Sequence, residues 1–148
     1  MNGKPLLKDK DKPRKQRVKT KTQLRKILDT IFSQFIRLSH ADIDGNCVCY
    51  TCGTVLHWKK IQNGHLVSRW YTLTRYDERN CRPQCYVCNL IRNGRTPEFA
   101  EKLEIELGQG IVAELYKLAR GTAIDFPYQV KIDEYKIKLA KLGERATI

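Results

Sequence analysis

Two Cys-x-x-Cys pairs, Cys49-Tyr-Thr-Cys52-Gly53 and Cys85-Tyr-Val-Cys88-Asn89, are separated by a 32-residue insert that contains His65 and Asn80. Each pair makes a tight turn able to place two thiolates about 2.3 Å from one zinc ion, and four thiolates close a tetrahedral shell. A closed shell has no open position, so such an ion holds the fold instead of performing chemistry. Cys47 is an alternative to Cys49, pairing with Cys52 across a longer turn, and Cys81 reads as core. The insert carries a second kind of chemistry. Hydrolysis of a phosphodiester needs a base to activate water, a divalent cation to stabilise charge on the phosphate, and a group that orients the base. His65 is the candidate base, Asn80 its orienting partner, and Asn89 an oxygen ligand for Mg²⁺ or Mn²⁺, fixed in place because it directly follows Cys88. Taken singly, each has a plainer reading, such as an asparagine satisfying backbone groups near a turn. The ordered set is what carries the chemistry.

These residues need a scaffold. At 148 residues the chain fits one domain, close to the size at which small folds lean on a staple such as a metal. Apolar residues Leu24, Ile27, Leu28, Ile31, Phe35 and Leu38 recur at steps of three and four, the pattern of an amphipathic helix over about 18–39. Between 40 and 95 the pattern breaks into short segments, with strand-like pieces near "TVLHW" and "GHLVSRW". Helix returns at Thr96-Pro97, read as a cap followed by proline at the first helical position, and stops at Gly108. A second helix, "IVAELYKLAR", is expected to close on a left-handed Gly121, and a third to run from about Pro127 to Leu142 and end at Gly143. The class is α+β. The organisation is a basic arm over 1–17, the helix over 18–39 as a possible dimer contact, and a zinc-bound domain over 40–148 with C-terminal helices.

The net charge is +12, and the first 26 residues hold eleven Lys or Arg against only Asp9 and Asp11. A polyanion is the expected partner, and a phosphate backbone is the commonest. An anionic membrane surface is the weaker rival. The N-terminus lacks the apolar segment of a signal peptide, and no apolar run approaches the roughly 20 residues of a membrane span, so a cytosolic protein is expected. In a reducing compartment Cys-x-x-Cys pairs hold metal more often than they form disulfides.

The segment built from Cys49-x-x-Cys52-Gly53-Thr54, Gly64-His65, Arg69, Arg75-Tyr76-Asp77-Glu78-Arg79-Asn80, Gln84-Cys85-x-x-Cys88-Asn89 and Gly94 resembles an HNH (His-Me finger) nuclease. Within that class it is similar to the NinG/Rap family of lambdoid bacteriophages, associated with cutting recombination intermediates. The resemblance covers roughly residues 45–118. It implies a small zinc-stapled ββα-metal, treble-clef-like core, with His65 on the first strand as general base and Asn89 on a helix starting near Cys88 as a ligand of the catalytic cation. It also implies a cut that leaves a 5′ phosphate. Many HNH nucleases carry an acidic ligand directly before the histidine, whereas Gly64 stands there in this chain. Asp77, Glu78, or phosphate oxygens with water are the alternatives for the second ligand.

Arg69, Arg75, Arg79 and Arg82 lie close in sequence to the proposed site, and guanidinium groups match phosphate oxygens bidentately. Trp70, Tyr71 and Tyr76 read either as a small core or as platforms for exposed bases, and His57 beside Trp58 as a further ligand or base. The expectation is a metal-dependent, structure-selective DNA endonuclease of the Holliday junction resolvase kind, homodimeric, and acting in the host cytoplasm if phage-encoded. An HNH nickase of unbranched DNA and a non-catalytic zinc-stapled DNA-binding module are the rivals.

Overall fold

The computed structural model describes residues 17–145. The basic arm expected over 1–17 therefore lies, apart from Arg17, outside the described residues. The architecture is α+β, as expected. Its elements run α1 (Lys21–Ser39), β1 (Asn46–Val48), β2 (Val55–His57), β3 (Gln62–His65), α2 (Thr72–Arg75), β4 (Cys81–Gln84), α3 (Thr96–Leu107), α4 (Ile111–Ala119) and α5 (Tyr128–Arg145). Among the described residues, no helix is long and apolar enough to cross a membrane.

Helix α1 starts a little later than its apolar stripe implies, because the chain supplies a capping box. Thr20 Oγ1 accepts from the Gln23 N–H at 3.2 Å, and Gln23 Oε1 accepts from the Thr20 N–H at 2.9 Å. Its buried residues Leu28, Phe32, Phe35 and Ile36 pack on Ile132 and Tyr135 of α5. Phe32 and Tyr135 meet edge to face with centroids 4.9 Å apart, the geometry the ring quadrupoles favour. The apolar stripe of α1 is thus covered within the chain.

Two antiparallel hairpins lie between α1 and α3. In the first, Cys47 pairs with Leu56; in the second, Gly64 pairs with Arg82 and His65 with Cys81. The strand expected in "GHLVSRW" is shifted: it covers Gln62–His65 and ends there. Leu66 and Val67 instead turn into a second apolar cluster with Phe99, Leu103 and Leu115 of α3 and α4, so burial outweighs the strand propensity of the sequence.

Three helix ends differ from the sequence reading. Thr96 does not cap α3; the cap is Arg95 in the left-handed region at φ 46°, and Thr96 is the first helical residue. Gly121 is not left-handed. It sits close to its neighbours: a Cβ there would meet Leu73 Cδ1 at 2.7 Å and the Leu118 carbonyl at 3.1 Å. Gly143 does not end α5, which continues to Arg145, because a helical φ is open to glycine as to any residue. Gly108 does end α3, at φ 103°.

Gly64 fixes how closely the second hairpin can pack. A Cβ there would overlap the amide oxygen of the fully buried Gln84, whose Nε2 is held by Thr51 Oγ1 at 3.1 Å and the Gly94 carbonyl at 2.8 Å. The amide cannot retreat without breaking both bonds. Gly64→Ala is therefore expected to destabilise the protein by about 1–3 kcal/mol, as overpacking does. Urea denaturation measures this, and an unchanged midpoint would contradict it.

Candidate functional site

The thiols of Cys49, Cys52, Cys85 and Cys88 all lie within 4.8 Å of one another. Cys52 Sγ and Cys85 Sγ are 3.7 Å apart, close to the roughly 3.8 Å between two sulfurs bound tetrahedrally to one zinc. Local backbone produces the arrangement. Gly53 at φ 80° turns the chain after Cys52, and its N–H donates to the Cys49 carbonyl at 2.9 Å. The Cys85 N–H points at Cys49 Sγ at 3.2 Å and the Cys88 N–H at Cys85 Sγ at 3.4 Å.

Burial raises the Cys49 thiol, but the backbone N–H groups of Cys85, Cys52 and Thr51 outweigh it and bring it to about 6. Thr54 likewise lowers the exposed Cys52. Burial pushes Cys85 up to about 12. Sulfurs this close also oppose one another's ionisation, which a cation among them would relieve. The four cysteines are positioned to hold a metal ion and suit a structural zinc. Cys49 belongs to the cluster. Cys47 does not: fully buried, its thiol donates to the Arg37 carbonyl at 3.1 Å. Cys81 is fully buried in the α1–α5 cluster, which matches its reading as core.

Beside this centre opens a cleft of about 500 Å³ between α1 and the second hairpin, lined by His65, Asn63, Gln62, Asn89, Arg69 and Asp29 among others. Asn63 and His65 share a face of β3 because strand side chains alternate. Asn89 arrives on the π-helical turn Val87–Ile91 immediately after Cys88, so the knuckle positions it. Its Nδ2 donates to Gln62 Oε1 at 2.8 Å, which leaves the amide oxygen as the atom able to meet a cation. Asn63 Oδ1 is buried and has no hydrogen-bond partner among the described residues.

His65 is mostly buried. Its Nε2 lies 3.1 Å from the Arg75 carbonyl. A carbonyl only accepts, so Nε2 carries the proton and Nδ1 is the basic nitrogen. Burial lowers the imidazole to about 4; the bond to the Arg75 carbonyl opposes this, and the charges of Arg69 and Arg75 reinforce it. The ring is neutral at physiological pH, as a general base must be.

Asn80 is not the direct orienting partner of His65. It is fully buried, and its amide accepts from the Val67 N–H at 2.8 Å while donating to the carbonyls of Val67 at 3.0 Å and Thr74 at 2.9 Å. It ties down the loop whose end supplies the carbonyl that His65 reaches. The arginines also divide. Arg75 forks onto Asp29 at 2.8 and 2.7 Å, Arg82 pairs with Glu106 at 2.7 Å, and both side chains are about 6% exposed. Arg79 bridges Asp77 at 2.7 Å and Glu114 at 2.6 Å. Internal ion pairs therefore occupy these three, whereas Arg69, with a 64% exposed side chain, lines the cleft and makes only a longer pair with Asp29, at 3.9 Å.

Asp77 and Glu78 line a different pocket, where Asp77 pairs with Arg79 and Glu78 with Lys138, so neither completes a cation site with Asn89. His57 contacts Trp58 and stands outside both the cluster and the cleft. Tyr76 belongs to the core, whereas Trp70 is 86% exposed. The sequence reading missed Asp29 and Asn63. For Asn63, the signal was the two-residue spacing from His65.

A family model described as Bacteriophage Lambda NinG protein matches residues 5–144, and the chain belongs to this family. Two curated relatives, each called Protein ninG, come from Escherichia phage 933W and Enterobacteria phage VT2-Sa. Each is 27% identical over an alignment of 137 residues that covers 87% of this chain and 66% of the relative. The chain thus spans just under two thirds of the length of these proteins. No solved structure matches it.

Proposed function

We propose that the protein is a metal-dependent endonuclease that cuts branched DNA, such as four-way recombination junctions, and that β3, β4 and the turn carrying Asn89 form an HNH-type ββα-metal core. The observation that carries this reading is the convergence of a neutral, carbonyl-anchored His65 and the amide oxygen of Asn89 on one cleft beside the four-cysteine cluster. Amide oxygens suit a hard cation such as Mg²⁺ or Mn²⁺, with phosphate oxygens and water completing its shell. When bound, that cation stabilises negative charge on the phosphate and on the leaving 3′ oxygen. His65 Nδ1 takes the proton of the attacking water, and the Arg75 carbonyl holds the ring while it does so. Arg69 grips a phosphate oxygen. The cleft lining favours a polyanion, with five basic side chains against the single carboxylate of Asp29 among the described residues. A junction has two-fold symmetry and needs two cuts, so a C₂ dimer is the matching assembly.

The test is cleavage of a labelled four-way junction beside a linear duplex of the same arm sequence, with Mg²⁺ or with EDTA. Junction-selective cutting is expected; equal rates on both substrates would instead mark a nickase of unbranched DNA. A second reading, a zinc-stapled DNA-binding module without catalysis, is favoured by the commitment of Asp29 to Arg75, which leaves the cleft without a free carboxylate among the described residues. Binding without cutting under every divalent ion tried would establish it.

The depressed His65 gives a pH signature. Because the base works deprotonated, single-turnover cleavage is expected to stay level from neutral pH down to about 5 and to fall on an acid limb centred near 4. An acid limb at the ordinary histidine value of about 6.5 would contradict the buried, arginine-flanked environment.

A further inference from the structure

Among the described residues, Asp29 is the one carboxylate that lines the cleft, and it comes from α1, outside the segment that carries the nuclease resemblance. Both its oxygens are engaged. Oδ1 accepts from Arg75 Nε at 2.8 Å and from the Tyr76 hydroxyl at 2.7 Å, and Oδ2 accepts from Arg75 Nη2 at 2.7 Å. The remaining arm of the Arg75 fork, Nη1, donates to the Arg69 carbonyl at 2.7 Å. A planar guanidinium held on both edges has little freedom, and the backbone that bears it is held with it. The carbonyl of that residue is the group His65 Nε2 reaches, 3.1 Å away.

We propose that Asp29 is a positioning residue for cleavage: through Arg75 it fixes the carbonyl that keeps His65 in the Nε2–H tautomer, so that Nδ1 faces the reaction as base. This rests on the nuclease reading of the same cleft. Helix α1 is then part of the active site as well as a core helix. Asp29 is no ligand of the cation, because guanidinium and phenol donors fill its oxygens. Asn80 holds the same loop at Thr74 and Val67, and does not replace the clasp at residue 75.

The test compares full-length wild type with Asp29→Asn and Arg75→Lys, each checked for native circular dichroism and for zinc content. Asparagine keeps the shape of the aspartate but offers an amide N–H to the guanidinium, and lysine keeps the charge of the arginine without the fork. Single-turnover cutting of a four-way junction is expected to fall about 10- to 100-fold, the scale of a misplaced catalytic group, with Kd for the junction within about twofold of wild type. The ¹⁵N spectrum of the His65 ring is expected to change from one Nε2–H tautomer to a mixture. Combining both substitutions is expected to cost no more than the worse single one, as for groups that act as a unit. If Asp29→Asn does not fold, Arg75→Lys carries the same comparison.

Wild-type cutting by folded variants would overturn the proposal. So would equal losses of binding and cutting, which mark a purely structural role, or an unchanged His65 spectrum. If the wild type itself cuts no DNA, the nuclease reading fails, and the ring spectrum alone decides whether Asp29 holds His65.

Discussion

Stripping zinc from the protein with a strong chelator is expected to unfold its centre, including both hairpins and the turn that presents Asn89. The cluster of Cys49, Cys85 and Cys88 packs with Cys47 and Ile61 in a small core that has few other apolar residues to hold it. Structural zinc sites contribute about 10–16 kcal/mol of apparent binding free energy in zinc-finger peptides, which rivals the roughly 5–15 kcal/mol total stability of a typical domain. Replacing Cys85 or Cys88 by Ser is expected to have the same outcome. Cys47→Ser tests the ligand assignment, because that thiol bonds to a backbone carbonyl outside the cluster and its loss is expected to leave zinc stoichiometry at one per chain. The measurement is native mass spectrometry for zinc content beside far- and near-UV circular dichroism. A chelated protein with unchanged spectra would show that the four thiols pack as small hydrophobes and hold nothing.

His65→Ala is expected to lower single-turnover DNA cleavage by about 10²- to 10⁴-fold, the range for removing a general base, while binding stays within about twofold. Loss of rate without loss of affinity follows from the geometry. In the proposed reaction His65 would reach the substrate only through the water it deprotonates, whereas Arg69 and the other cationic side chains of the cleft would supply contact with phosphate. The substitution removes one hydrogen bond, to the Arg75 carbonyl, and Arg75 remains clasped by Asp29. The fold is therefore expected to survive. Cleavage by His65→Ala at the wild-type rate would remove His65 from the reaction.

The knuckles were legible because a tetrahedral thiolate site imposes a local spacing that few other structures need, and the four sulfurs do cluster. Helix α1 was legible in its stripe, but not in its partner. Periodicity shows which face is apolar and is silent on whether α5 or another molecule covers it. The same limit hid Asp29, which meets Arg75 across 46 positions of sequence. No local pattern distinguishes a guanidinium bound to a carboxylate of its own chain from one left for a phosphate, and so Arg75, Arg79 and Arg82 read as substrate contacts. Asn80 was singled out by its place in the ordered set, but its role was misread: a buried amide with three backbone partners orients a loop, and only through that loop the histidine. The shifted strand at Gln62–His65 was missed because Leu66 and Val67 have strand propensity yet gain more from burial against α3 and α4.

The most direct measurement is a time course on a 5′-labelled four-way junction with zinc-loaded protein, with Mg²⁺ present or withheld, and with His65→Ala in parallel. Cleavage that needs both the divalent ion and His65, and that spares a linear duplex, is the expected result. A junction that is bound but stays intact with Mg²⁺ and with Mn²⁺ would contradict it, and the cleft would then be a site that holds branched DNA without cutting it.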